Sequence, residues 1–294
     1  MLNLYETIKS RPAYFKQLAC KVLLCTQCDT PQDKDIQDLF SQHNFIIYVL
    51  DGKRTLFQPG RSYEMTEGKC FFSKKGAWLS QREAGKNWRV MIFFMPDKYL
   101  QQFFKKYRNN FSLASDDVKP MPQMIDLQVS EATRKFVESM SAYFMQSPPI
   151  PEALLELKFH ELLFTLLTNP GNRDLLFQLQ RIADHYRESL SEIMEANYTY
   201  NLSLSEFAKL THLSLASFKR EFKKVFGTTP GKWLKEKRLD YAGKILTTSS
   251  KAINDIAFES GFENTTHFSR VFKEKFHESP LHYRRLVETH AIAI

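Results

Sequence analysis

The sequence lacks a hydrophobic run long enough to cross a membrane. Its longest apolar runs, Phe45–Leu50 and Val90–Met95, are six residues each, whereas a transmembrane helix needs about 20. The first sixteen residues include Glu6, Lys9 and Arg11 and contain no apolar stretch of the kind found in a signal sequence. We therefore expect a cytoplasmic protein that does not bind a membrane.

Cysteine is scarce, and all four cysteines lie in the first quarter of the chain: Cys20, Cys25, Cys28 and Cys70. The spacing Cys25-x2-Cys28 is one that zinc ligands use. The surrounding segment, however, has the apolar and β-branched content of a strand, and residues three apart on a strand point to opposite faces. We expect free, partly buried thiols rather than a metal site, and no disulfide in a reducing compartment.

The residue patterns of catalysis are also missing. No histidine occurs between Asp51 and Met95, so the converging ligands of a metal-dependent barrel enzyme are absent. The chain shows no phosphate-binding loop, no Ser/His/Asp arrangement and no paired carboxylates in a strand context. We expect a protein that is not an enzyme, with no catalytic residue, no metal and no cofactor.

Composition is that of an ordinary globular protein and indicates about two domains in 294 residues, of which 43% are hydrophobic and 25% charged. The formal net charge of +8 permits an acidic partner such as nucleic acid. Residues 186–294 carry 17 Lys and Arg against 13 Asp and Glu, and residues 1–185 carry 24 against 20. Because the excess is the same in both parts, evidence for nucleic-acid binding must come from local charge placement.

The first part of the chain, to about residue 95, is rich in predicted strands. Short apolar stretches alternate there with turn signals such as Asp51-Gly52. This spacing is typical of a β-sandwich or a small barrel. Trp78 and Trp88 either line a cavity in it or pack in its core, and no cluster of polar residues identifies a ligand pocket.

After Pro96 the pattern becomes helical. Helices are predicted over Asp97–Tyr107, with Asp97 as a candidate cap, from Ser130 to about Met145, and over Glu152–Thr168. We interpret Asn109–Ile125 as a loop and the segment from Arg173 to about Asp184 as a connection.

The helix Glu152–Thr168 is apolar on more than one face, which requires two packing partners. One interpretation is a helical hairpin packed on the barrel. The other is a homodimer interface formed by the helices of residues 130–168.

The C-terminal part contains an internal repeat with an offset of fifty residues. Ser217–Lys223 (SFKREFK) aligns with His267–Lys273 (HFSRVFK), and Phe226, Pro230 and Trp233 align with Phe276, Pro280 and Tyr283. Each copy is predicted to form a helix, a short turn and a second helix.

The predicted elements are alike in the two copies. In the first, Ser203 caps Leu204–Leu210 and Ser214 caps Leu215–Phe226; in the second, Ile253–Glu259 precedes a turn with Gly261, and Asn264 caps Thr265–Phe276. A longer helix, Pro230–Leu246, joins the copies.

The second helix of each copy has two distinct faces. In the first copy, Leu215, Phe218, Phe222, Val225 and Phe226 lie on the side predicted to be buried. The opposite faces of the two helices contain small, polar and cationic residues and no acid. Such faces suit base edges and phosphates, and we predict a DNA interface made of Ser214, Ala216, Lys219, Arg220, Lys223, Asn264, Thr265, Thr266, Ser269, Arg270 and Lys273.

Two such units on one connecting helix are able to enter successive major grooves on one face of the duplex, about 34 Å apart. Bending of the DNA to meet both units costs a few kcal/mol. A helical repeat that binds protein is the alternative interpretation of the same faces.

The segment Ile256–Lys273 (IAFESGFENTTHFSRVFK), followed by Ser279-Pro280 and Tyr283-Arg284, closely resembles the signature of AraC/XylS-type transcriptional regulators. The similarity covers roughly residues 190–288, although the first unit lacks the glycine that the family often has in its turn. The resemblance implies a bacterial DNA-binding activator, less often a repressor, that contacts RNA polymerase.

By position, the resemblance assigns base contacts to Ala216, Lys219 and Arg220 in the first unit and to Thr265, Thr266 and Arg270 in the second. Many relatives have a large side chain where this chain has Ala216. The N-terminal part resembles the family's sensor and dimerisation arrangement, including that of the type III secretion activators. Either a small-molecule effector or a protein anti-activator therefore controls it.

Two other classes of protein share part of this pattern. DNA-repair methyl acceptors join four zinc-bound cysteines to a similar helical module, but they need two well-spaced cysteine pairs, which the four cysteines here do not form. A barrel enzyme with an attached DNA module has no catalytic arrangement to support it.

The expected fold is therefore α+β. Residues 1–185 form a regulatory domain, a cupin-like β-barrel or sandwich with a helical hairpin, for sensing and dimerisation. Residues 186–294 form an all-α DNA-binding domain with two helix-turn-helix units joined by a linker helix.

Overall fold

The computed structural model describes residues 1–29, 36–58, 61–82, 87–111, 121–146, 150–184 and 190–285. The chain divides into two compact units: the N-terminal unit, Met1–Arg187, and the C-terminal unit, Glu188–Ile294. The boundary predicted between residues 185 and 186 lies outside the described residues. None of the helices within the described ranges is long and apolar enough to span a membrane.

Within its described residues, the N-terminal unit contains ten strands. They are β1 (Leu2–Asn3), β2 (Lys16–Cys20), β3 (Leu23–Asp29), β4 (Ile36–Ser41), β5 (Asn44–Gln58), β6 (Arg61–Thr66), β7 (Cys70–Ser73), β8 (Gly76–Arg82), β9 (Trp88–Met95) and β10 (Met124–Leu127), with a short helix α1 (Leu4–Lys9) after β1. The main path through the sheet is β1-β4-β8-β5-β9-β3-β2; β6 and β7 also pair with β5, and β10 pairs with β7. The prediction of a sandwich or barrel is confirmed.

Strand β5 belongs to both layers of this sheet and is bent by a bulge. Its register against β9 shifts between Val49 and Asp51, which leaves one extra residue and reverses the face to which later side chains point. Gly52 follows at φ +92°, where a Cβ atom would lie 1.9 Å from the carbonyl oxygen of Asn87. Only glycine fits this close approach of two backbones.

Alternate residues of the strands fill two separate cores. The inner core lies between the sheet layers and comprises Tyr5, Ile8, Phe15, Leu24, Cys28, Leu39, Phe45, Ile47, Val49, Leu56, Met65, Phe71, Trp78, Trp88, Val90, Ile92, Phe94 and Met124. The other face of the sheet packs against helices and contributes Ile46, Tyr48, Met91, Phe93 and Met95 to a helix-side core. The helices that cover this face are α2 (Asp97–Tyr107), α3 (Glu131–Tyr143), α4 (Glu152–Leu167) and α5 (Arg173–Ala183).

Three expectations for this helical part were wrong. Asp97 does not cap α2, whose N-cap is Pro96; its carboxylate instead accepts a hydrogen bond from Asn44 and pairs with Lys75 Nζ at 2.8 Å. The connection expected after Arg173 is helix α5, which buries Leu175 and Leu179 in the helix-side core. The loop expected to Ile125 contains the start of β10, while its residues 112–120 lie outside the described residues.

The four cysteines are free and buried. The strand predicted around the Cys25-x2-Cys28 pair is confirmed as β3, and the two thiols lie on its opposite faces, Cys25 in the helix-side core and Cys28 in the inner core. Burial raises the pKa of the Cys28 thiol to about 12. In the part of the chain that the structure describes, no group of three or more His, Cys, Asp or Glu side chains is arranged to hold a metal ion.

The C-terminal unit is helical throughout its described residues. Its helices are α6 (Leu190–Asn197), α7 (Leu204–Leu210), α8 (Leu215–Phe226), α9 (Pro230–Thr248), α10 (Ile253–Glu259) and α11 (Thr265–Phe276), and a further helical segment begins at residue 280. The pairs α7–α8 and α10–α11 are the two predicted helix-turn-helix units, and α9 connects them.

The sequence repeat is also a geometric repeat. The rings of Phe222 and Phe226 are 4.4 Å apart, and those of Phe272 and Phe276 are 4.5 Å apart. Phe226 lies 5.0 Å from Trp233, as Phe276 lies 5.1 Å from Tyr283. The second helix of each helix-turn-helix unit therefore packs against the helical segment that follows it through an equivalent row of aromatic rings.

Candidate nucleic-acid interface

The N-termini of the second helices, α8 and α11, are set by side-chain caps. The Ser214 hydroxyl accepts a hydrogen bond from Ser217 N at 3.2 Å, and Asn264 Oδ1 accepts one from His267 N at 2.9 Å. Ser203 caps α7 in a reciprocal pair with Glu206. All three predicted caps are confirmed, so the oxygens of Ser214 and Asn264 already satisfy backbone donors at the helix ends.

Helix α8 presents its predicted DNA face to solvent. Ala216, Lys219, Arg220 and Lys223 are all exposed. Phe218 and Phe222 are buried on the opposite side. The outward face therefore combines one small side chain with three cations.

Helix α11 presents a comparable face, in which Thr266, Arg270 and Lys273 are exposed and Thr265 and Ser269 are half-buried. The expectation that this face contains no acid is wrong. Glu274, one turn after Arg270, accepts a hydrogen bond from its guanidinium at 2.9 Å. Residues four apart on a helix are neighbours, so Arg270 must leave this exposed pair to contact DNA.

Two apolar residues of α8 are not buried as predicted. Leu215 is 40% exposed and Val225 is 51% exposed, because the helix contacts its unit along the narrow row of Phe218 and Phe222. The repeat contained the signal that the prediction overlooked: the residues fifty positions later are the polar Thr265 and Lys275.

The two helix-turn-helix units are joined within the C-terminal unit by more than helix α9. Arg238 on α9 donates hydrogen bonds to the carbonyl oxygens of Tyr198 at 2.7 Å and Tyr200 at 2.8 Å. Gly261, in the turn of the second helix-turn-helix unit, has φ +86°, and a Cβ atom there would lie 2.5 Å from Thr199 O and 2.9 Å from Arg238 Nε. We call the two hydrogen bonds of Arg238, together with the close approach of Gly261 to Thr199 and Arg238, the interunit clamp.

Comparison with known families matches both parts of the chain. Residues 44–178 match the ExsA N-terminal regulatory domain, and residues 207–286 match a helix-turn-helix domain.

Relatives of similar length are transcription regulators. The chain is 26% identical over 233 residues to the thermoregulatory protein LcrF of Yersinia pestis, covering 79% of this chain and 85% of that protein. It is 26% identical over 241 residues to the HTH-type transcriptional regulator ExsA of Pseudomonas aeruginosa, covering 81% and 85%. Among solved structures, ToxT from Vibrio cholerae is 15% identical with a TM-score of 0.40 and covers 91% of this chain and 98% of its own.

Two capped helix-turn-helix units attached to a separate strand-rich unit define a DNA-binding transcription regulator with an N-terminal regulatory domain. The chain carries an AraC-type helix-turn-helix domain, and its relatives LcrF and ExsA are AraC-family transcriptional regulators. The resemblance of Ile256–Lys273 to the family signature is thereby confirmed, and the relatives named here are regulators, not enzymes.

Proposed function

We propose that α8 and α11 enter successive major grooves of one DNA duplex and read its sequence. The observation that carries this proposal is the repeated geometry: two helices with the same aromatic support, each capped at its N-terminus and each exposing small, polar and cationic side chains. Helix-turn-helix proteins use the N-terminal part of such a helix for base contacts.

The spacing of the two helices is set by α9 and the interunit clamp. The 19-residue helix α9 is a rigid connector, and the hydrogen bonds of Arg238 link it to the segment before α7. A fixed spacing favours half-sites about one helical turn, 34 Å, apart. Binding of the two helices to both half-sites then favours DNA sequences that bend with a small free-energy cost.

The predicted contacts divide by chemistry. Arg220 and Arg270 suit guanine edges, Lys219, Lys223 and Lys273 suit phosphates or guanine, and Thr266 offers a hydroxyl and a methyl group. The remaining candidates have narrower roles: Ser214 and Asn264 set the helix ends, Thr265 and Ser269 are half-buried beside the contacts, and Ala216 allows close approach.

Residues 186–294 bind DNA and residues 1–185 control them, because the N-terminal part matches a regulatory domain. We propose that the protein is an activator that contacts RNA polymerase, since relatives of the chain such as VirF and RhaS are named transcriptional activators. The controlling partner is a small molecule or a protein.

The test selects bound sequences from a random DNA library with the full chain at fixed salt, and then measures affinity for the selected site. Arg220→Ala and Arg270→Ala should each lose about 1–3 kcal/mol of specific binding and relax sequence preference in one half-site. Glu274→Gln should strengthen binding because it removes a negative charge that pairs with Arg270 and repels phosphate.

Lys224→Ala is the matched control on α8, because Lys224 is exposed and pairs with Glu221 beside the proposed face. It should leave sequence preference unchanged. Wild-type affinity and sequence preference in both arginine variants would contradict the proposed interface. A selected motif without two half-sites would contradict the two-groove arrangement.

A further inference from the structure

Helix α9 holds the second helix-turn-helix unit through a lysine of α11 as well as through aromatic rings. Lys275 Nζ lies 2.9 Å from Glu236 Oε2 and 2.6 Å from Asp240 Oδ1, and it donates a hydrogen bond to Glu236 O at 3.1 Å. The lysine side chain is only 23% exposed. Charge-assisted hydrogen bonds of this kind are short and strong, so α11 is tied to a defined point on α9.

The first unit has an apolar residue at the equivalent position. Fifty residues before Lys275 lies Val225, which is 51% exposed, and a valine side chain forms no ion pair. The aromatic row, in contrast, is present in both units. The fold common to the two units therefore does not require the ion pairs of Lys275, which serve the placement of α11.

The interunit clamp holds the segment that leads into the first unit to the same part of α9. Arg238 lies between the two acidic partners of Lys275 in the sequence, and it donates to two backbone carbonyl oxygens of residues 198–201. From the same segment, the Asn201 side chain donates a hydrogen bond to Glu263, in the turn of the second unit. One short stretch of α9 thus attaches both the start of the first unit and the second helix of the second unit.

We propose that Arg238 and Lys275 are positioning residues that determine which separation of DNA half-sites the protein accepts. Arg238 fixes the segment before α7 on α9, and Lys275 fixes α11 on α9, so neither side chain has to touch DNA. One added base pair moves a half-site by about 3.4 Å and rotates it by about 34–36° around the duplex. Two helices held in one arrangement should reject that change.

This inference rests on the proposed function, since it names residues that fix the two-groove arrangement. The experiment uses the full chain at fixed salt and the DNA site selected from the random library. The duplexes carry the selected separation of half-sites, a separation one base pair shorter or longer, or one half-site alone. The wild type should lose about tenfold or more in affinity when the separation changes, because contacts in one half-site are lost.

Lys275→Met removes the ion pairs and keeps the apolar stem of the side chain. It should bind the selected separation about fivefold more weakly, because only a fraction of the molecules then has the required arrangement. The loss on changing the separation by one base pair should fall to about threefold or less, since the arrangement is no longer fixed. Arg238→Met should behave in the same way, and both variants should bind the single half-sites as the wild type does.

Two further variants distinguish positioning from a direct phosphate contact by Lys275. Loss of a phosphate contact reduces the slope of log affinity against log salt by about 1, which is expected for Lys273→Met but not for Lys275→Met. Glu236→Gln combined with Asp240→Asn keeps the lysine and removes its charged partners, and it should loosen the preference for separation as Lys275→Met does.

The matched control is Lys244→Met, which removes an exposed cation of the same helix α9. It should keep the wild-type preference for one separation of half-sites.

An unchanged preference for separation in folded Lys275→Met and Arg238→Met proteins would overturn this inference and leave two-groove binding intact. An equal loss of affinity for single half-sites would also overturn it, because the residues would then support the fold and not the spacing. A selected motif without two half-sites would contradict the proposed function and this inference together. Should Arg238→Met fail to fold, Lys275→Met and the double variant decide the question.

Discussion

In the N-terminal unit, the burial of one titratable side chain, His160, makes stability depend on pH. His160 on α4 is half-buried against the rings of Tyr99, Phe103 and Tyr107, with ring-centre distances of 6.0, 5.4 and 5.7 Å. Burial lowers the pKa of His160 below its ordinary value, against an opposing effect of Glu156. The folded protein therefore favours the neutral imidazole.

The stability of the N-terminal unit should decrease as pH falls from about 7 to about 5. In the unfolded chain His160 titrates near its ordinary pKa of about 6.5, so the unfolded state takes up a proton before the folded state does. The stabilisation is present above that pKa and is lost as pH falls through the lower folded value. Urea unfolding at several pH values measures this slope.

His160→Gln should flatten the slope, whereas His267→Gln, a change at an exposed histidine of α11, should not. An unchanged slope in His160→Gln would show that another group controls the acid sensitivity.

At the scale of elements, the two helix-turn-helix units have left-handed residues at two equivalent positions but place glycine at different ones. In the first unit the turn residue His212 has φ +56° and the residue that ends α8, Gly227, has φ +67°. In the second, the turn residue is Gly261 at φ +86° and the residue that ends α11 is His277 at φ +63°. Both units use the left-handed conformation twice, and each assigns one of its two positions to histidine.

Gly227→Ala should therefore destabilise the C-terminal unit by about 1 kcal/mol. A Cβ atom at Gly227 meets nothing within 4 Å, so the cost comes from the left-handed backbone alone. Gly231, inside α9, also has open space for a Cβ atom, and Gly231→Ala should stabilise by up to about 1 kcal/mol because alanine favours helix. Thermal unfolding of the two variants should shift in opposite directions, and equal shifts would refute this account.

At the scale of the whole molecule, the apolar surface that α4 leaves exposed is relevant to whether two chains associate. The helix buries Leu155, Phe159, Leu162, Leu163, Leu166 and Leu167 in the helix-side core, so most of its apolar surface packs internally. Leu157 is 62% exposed. Association through residues 130–168 stays a prediction.

If the helices of residues 130–168 pair two chains, Leu157→Glu should shift the protein from dimer to monomer, because it puts a charge at the exposed apolar position of α4. Val22→Glu is the control, since Val22 is also an exposed apolar residue but lies between β2 and β3. Sedimentation at micromolar concentration measures both. A wild-type protein that is already monomeric would remove the dimer hypothesis.

Local sequence patterns predicted the elements correctly where the residues of a single helix or turn were enough to define the element. The caps Ser203, Ser214 and Asn264 satisfy donors within three residues of themselves, so their spacing alone identifies them. The offset of fifty residues predicted the second helix-turn-helix unit in the same way. The exposure of Leu215 and Val225 was not predicted, because it depends on how much of the surface of α8 is covered by the neighbouring helices.

The sequence by itself predicted the two helix-turn-helix units, because helical periodicity and capping are local properties of the chain, and the resemblance of Ile256–Lys273 to a family signature indicated the class of protein. The candidate contacts stay predictions. Tertiary structure alone decided the position of Arg54. Simple alternation from Phe45, Ile47 and Val49 places Lys53 rather than Arg54 inside, and the bulge before Asp51 reverses the faces. The bulge lies between the part of β5 that pairs with β7, Phe45–Tyr48, and the part that pairs with β8, Arg54–Phe57. These long-range pairings are not recorded in any local sequence pattern.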